Sequence, residues 1–124
     1  MSKKMDTAFA NWVLDLIRAG GTLYLRLFNG DRQAGGTEIS GGGYAGGVAV
    51  TFGAAASGRA ITNTSPVTFP QATATLSPIG HATLAPAATG AIARGWDLEI
   101  SPTLQWNSGE TPTIPAGFLS LKLP

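Results

Sequence analysis

The sequence predicts a mainly β protein, an antiparallel β-sandwich or partial barrel preceded by one N-terminal amphipathic α-helix. Three observations lead there. Apolar residues recur at helical spacing in a single stretch near the start. From residue 22 onward the pattern alternates with period two in short runs. Those runs are separated by Gly, Pro, Ser and Asn about every 8–12 residues. With one helical segment there is no repeated βαβ unit, and so no parallel Rossmann-type sheet. The 124 residues fit one ordinary domain spanning 1–124, with the helix at 7–18 and the sandwich at 22–123.

Phe9, Trp12, Val13, Leu16 and Ile17 fall at i, i+3, i+4, i+7 and i+8, which defines the helix over 7–18. Asp6 is placed to cap it, and Gly20-Gly21 to end it. Asn11, Asp15 and Arg18 occupy the opposite face. The expectation is a helix packed on its own sheet with Trp12 in the core. The alternative is an arm that docks on a neighbouring subunit through Phe9, Trp12 and Leu16.

The strand at 22–28 puts Leu23, Leu25 and Leu27 on one face and Thr22, Tyr24, Arg26 and Phe28 on the other. Asn29-Gly30-Asp31 is a turn. Glycines at 35–36 and 41–43 bracket Thr37–Ser40, and alternation resumes from Tyr44 to Phe52. Further strands are expected at 59–63, 66–69, 72–76, 79–85, 91–100, 103–107 and 117–123. The alanine runs 54–56 and 85–88 read as loops or close small-residue contacts.

Composition removes several classes of function. There is no cysteine, which excludes disulfides and thiolate metal sites, and one histidine, which excludes a multi-histidine centre within one chain. Charged residues are 12% and the net charge is +1, too little for a strong grip on nucleic acid or acidic lipid. Lys3 and Lys4 resemble the start of a signal peptide, but Asp6 and Asp15 interrupt the segment after them, so no targeting segment is expected. Residues 60–93 lack charge, yet their prolines, serines and threonines describe strands and turns instead of a spanning helix.

No motif carries a reaction. The glycines of 35–47 have no lysine for a phosphate loop and open a strand, not a helix, so a flexible or tightly turned connection is expected. His81 lacks a G-x-S-x-G partner and lies in an alternating stretch, which makes it a partly buried or interface strand residue with scope for a pH-dependent contact. Asp97 and Glu99 share a strand face about 6.5–7 Å apart, spacing open to glycosidase or calcium chemistry. A solvated or inter-subunit face is the expectation there, with Glu99 paired to Arg26, Arg59 or Arg94. Asp31 and Glu38 lack dense calcium-loop spacing. Trp12, Trp96 and Trp106 with Tyr24 and Tyr44 are the aromatics open to sugar stacking; with Trp12 expected in the core, Trp96 and Trp106 are the candidates for an exposed platform.

The run Thr22-Leu-Tyr-Leu-Arg-Leu-Phe-Asn-Gly-Asp31 and the later run Gly36-Thr-Glu-Ile-Ser-Gly-Gly-Gly-Tyr44 resemble a family of small tailed-bacteriophage virion proteins, the phage tail fibre proteins. Its members carry an N-terminal helix, a TLYLALFTGDP-like strand and GTEVSGGGYARQ. Pro66–Ala74, Ala88-Thr-Gly90, Gly109-Glu-Thr and Pro115–Leu123 match in the same order. Gly46-Gly47 stand where Arg-Gln is usual, Leu76–Gly80 lacks a Trp-Gly and Leu84–Ala87 lacks an aspartate.

The resemblance implies a virion structural component with no catalytic residues, no metal and no cofactor. Its lead placement is the tail fibre or tail tip. A capsid decoration (cement) protein is the nearest rival, with a glycan-binding module and a soluble regulator behind it. Expected partners are further copies of itself, a trimer being the candidate, and other virion proteins of the tail or the major capsid protein; no nucleic acid and no membrane are expected. Low charge and many Thr and Ser suit repeated β interfaces. The candidate contact residues are Phe9, Trp12, Leu16, Gly41, Gly42, Gly43, Tyr44, Trp96 and Trp106.

Overall fold

The computed structural model describes residues 5–53 and 58–123, with the backbone alone at 77, 78 and 101–104. Lys3, Lys4 and the alanine run 54–56 lie outside the described residues. The fold is mainly β with antiparallel sheets and one N-terminal helix, as expected.

Helix α1 spans Thr7–Ala19. The Asp6 carboxylate accepts the Phe9 N–H at 2.8 Å, the expected cap, and the Gly20 N–H reaches back to the Ile17 carbonyl. The buried stripe differs from the expected one. Ala10 and Leu14 are fully buried and Ile17 packs at the core margin, whereas Phe9, Trp12 and Leu16 are 50%, 56% and 53% exposed. The cause is a polar contact that sets the helix's rotation. The Asn11 side-chain oxygen accepts the Arg59 N–H at 2.8 Å, and the Arg59 guanidinium donates to the Met5 carbonyl. Position 12 lies about 200° round the helix from 10 and from 14, so Trp12 turns outward.

The main sheet has four antiparallel strands in the order β2 (Val48–Val50), β1 (Leu23–Phe28), β5 (Leu76–Ala85), β6 (Trp96–Trp106). Register aligns the rows Leu25–Leu84–Trp96 and Leu27–Ala82–Leu98 on one face. The rows Arg26–Thr83–Asp97 and Phe28–His81–Glu99 lie on the other. The first face builds the core. Opposite it lie two short ladders, β3 (Ala60–Thr62) with β8 (Ser120–Lys122) and β4 (Val67–Thr68) with β7 (Thr113–Ile114). Leu14, Ile61, Val67, Phe69, Ile114 and Leu121 from these elements join Leu25, Leu27 and Leu84 in one cluster.

Several expected strands change. Residues 72–76 are irregular up to Leu76, because their amides serve loops: Ala72 N–H bonds the Glu110 carbonyl and Thr73 N–H the Gly42 carbonyl. The strand expected at 91–100 starts only at Trp96 and fuses with 103–107 into β6. Register slips between β5 and β6 absorb the extra residues around Pro102. Of Tyr44–Phe52 only Val48–Val50 is a strand, with Phe52 bridged to Asn63. Strand β7 and a 3-10 turn at Arg32–Ala34 were not foreseen by alternation.

Candidate functional site

The glycine segment is a built lid on the outer edge of β1. Beyond β2, that edge continues along residues 37–39. Asn29 N–H bonds the Thr37 carbonyl, Ile39 N–H bonds the Leu27 carbonyl, and Phe28 bridges Glu38. Between this piece and β2 the chain loops out through 40–47. The Tyr44 hydroxyl fills the gap, accepting the Leu27 N–H at 3.1 Å and donating to Glu38 Oε2 at 2.6 Å. The Tyr44 ring stacks on Phe69, centroids 6.1 Å apart. Gly42 and Gly43 have φ of 61° and 88°, and a Cβ at Gly43 would lie 2.6 Å from the Gln71 carbonyl oxygen. Glycine is thus required by both conformation and space, and of the two connections expected from the sequence, flexible or tightly turned, the tight turn is what forms.

Glu38 is the hub beneath this lid. Arg26, the cation within an otherwise apolar strand, donates to Glu38 Oε2 at 3.1 Å and Oε1 at 2.6 Å. It also donates to the carbonyls of Ala87 and Gly90. Burial pushes the Glu38 carboxyl up, but hydrogen bonds from Arg26 and Tyr44 outweigh it and hold the pKa below the usual range. The hydrogen bond to Glu38 likewise raises the Arg26 pKa. Of the three arginines that the sequence offered to Glu99, Arg26 is therefore taken by Glu38.

A second ion pair lies further along the same row. Arg32 donates to Asp97 Oδ1 and Oδ2 at 2.9 and 3.1 Å, joined by the Gln33 amide and the Thr83 hydroxyl. The Arg32 hydrogen bond is the main reason the Asp97 pKa falls to about 2. Asp97 is thus a structural anion, not part of a solvated carboxylate pair; Glu99 stays exposed. Asp31 caps the 3-10 turn through the Gln33 N–H, and among the described residues no cluster of three potential metal ligands occurs.

The candidate contact residues divide into three places. Phe9, Trp12 and Leu16 form one outward stripe, with the Phe9 and Trp12 rings 5.4 Å apart. Gly41, Gly42, Gly43 and Tyr44 belong to the lid; Gly41 is exposed and the others are half-buried. Trp96 and Trp106, both half-buried, stand at opposite ends of the eleven-residue β6, so they share no platform. His81 is half-buried in β5, with Nδ1 lacking a hydrogen-bond partner among the described residues.

Sequence reasoning missed Arg32 and also Asn63, which is 1% exposed. The Asn63 side chain donates to the Ser65 and Pro115 carbonyls and accepts the Leu119 N–H, tying β3 to the 115–119 loop. No local pattern marks Asn63. The cue for the hub was available, in a lone arginine between leucines and a glutamate six residues before a tyrosine across three glycines.

The lid explains why Glu38, the three glycines and Tyr44 occur as one run. The family model for podophage GP4 fiber I protein gp80 matches residues 1–122. The chain belongs to this fibre protein family. No curated protein and no solved structure matches it. As a member of the fiber I family it is a phage structural component of the tail-fibre class, and the family implies a place in the virion.

Proposed function

We propose that the chain is a non-enzymatic assembly element of the phage tail fibre or tail tip, working as a homo-oligomer against other virion proteins. The stripe of Phe9, Trp12 and Leu16 carries this reading. Three large apolar side chains, each about half exposed on one helix face, are suited to burial against another polypeptide. The carboxylates support the non-catalytic part. Glu38 and Asp97 are each held by a guanidinium that lowers the pKa, the reverse of what a general acid needs.

The test is incorporation of the double variant Phe9→Ser/Trp12→Ser into particles, beside the oligomeric state of the purified chain. The expected result is a folded variant absent from particles, with wild-type protein co-purifying with tails. Wild-type protein bound to heads, with raised head heat tolerance, would replace the tail placement by capsid decoration. Full incorporation of the variant would remove the stripe as the contact.

A further inference from the structure

A pocket of about 660 Å³ opens at the end of the main sheet, between the close of α1, the start of β1 and residues 94–97. Its volume lies within the roughly 300–1,000 Å³ of small-molecule sites. Its lining includes apolar Leu23 and Trp96 and polar Thr22, Gln33, Arg94 and Asp97.

These polar groups differ in their availability. The Asp97 carboxylate already accepts from Arg32, Gln33 and Thr83, so it is fixed and charge-balanced. Arg94 is exposed and makes no hydrogen bond or ion pair with the described residues. A guanidinium matches a carboxylate bidentately. The Thr22 hydroxyl, also in the lining, can donate to or accept from a ligand hydroxyl group. The lining also holds the Trp96 indole, and an indole face favours the flat C–H face of a ring.

We propose that this pocket binds one carboxylate-bearing sugar residue, its ring against Trp96 and its carboxylate on Arg94. None of the three stripe residues lines the pocket, so this site and the helix contact can fail separately.

The test follows the indole N–H signal of Trp96 in the purified full chain, assigned with Trp96→Phe, during titration. The probes are sodium glucuronate, glucose and sodium acetate. Glucuronate is expected to shift the signal with half-saturation at about 1–10 mM, and glucose and acetate at least about tenfold more weakly. Arg94→Gln, an exposed change, should weaken the glucuronate response about tenfold, while the distant Lys122→Gln leaves it unchanged. No glucuronate response, an equal response to glucose or acetate, or an Arg94→Gln titration matching wild type would each overturn the proposal.

Discussion

The Tyr44 hydroxyl caps the Leu27 amide, 3.1 Å away, at the point on the outer edge of β1 where the neighbouring chain loops out. A side chain there takes the place of a ladder carbonyl. The same hydroxyl donates to Glu38, so strand edge, lid and buried ion pair depend on one oxygen.

Tyr44→Phe removes that oxygen and keeps the ring on Phe69. It leaves the Leu27 N–H without its acceptor and should cost about 1–3 kcal/mol, read as a lowered urea midpoint at unchanged slope. Glu38→Ala should cost more, about 3–5 kcal/mol, because the Arg26 side chain, 4% exposed, loses its counter-charge. Equal midpoints for wild type and Glu38→Ala would contradict the hub.

Stability should fall in acid over a definite window. The Asp97 carboxyl titrates at about 2 when folded and at 3.8 as a free side chain. Its contribution is whole above the unfolded value and is lost as pH falls from about 4 through about 2, amounting to about 2 kcal/mol at most. Glu38, also lowered, acts in the same direction. Asp97→Asn should flatten this part of a stability–pH profile measured by chemical denaturation.

The helix separates stability from assembly. Leu14 is fully buried, so Leu14→Ala should cost about 2–5 kcal/mol. Trp12→Ala should change stability by no more than about 0.5 kcal/mol, since the ring is 56% exposed. Thermal denaturation of the two variants side by side decides which face of α1 is the inner one.

Gly42 and Gly43 of the lid differ in kind from an ordinary turn glycine. Gly35 has φ of 93°, and a Cβ added there would meet nothing within 4 Å, so Gly35→Ala should cost only the conformational penalty, about 1–2 kcal/mol. Gly43→Ala adds a collision with the Gln71 carbonyl and should be clearly the more destabilising of the two. Paired melting curves provide the comparison.

Local rules read well where the chain obeys only itself. The Asp6 cap, the end of α1 near Gly20 and the alternation of β1 follow from hydrogen-bonding capacity and period, and all occur. Taking the apolar stripe at helical spacing as the buried side of α1 failed, because Asn11 and Arg59, 48 residues apart, set the rotation and turn small Ala10 inward. The Glu38–Arg26 pair was hidden for a similar reason. Either arginine or carboxylate has several formal partners, and only the fold brings these two together. The aromatic stripe was picked out by helical spacing, which identifies a coherent face without saying what it meets.

Strand β6 leaves one margin of the main sheet unpaired among the described residues. A straight eleven-residue margin would recruit other copies into a growing ribbon. Here the register slips bend it, and Pro102 offers no amide proton at its middle. Addition of a further strand along the full length of this margin is therefore disfavoured.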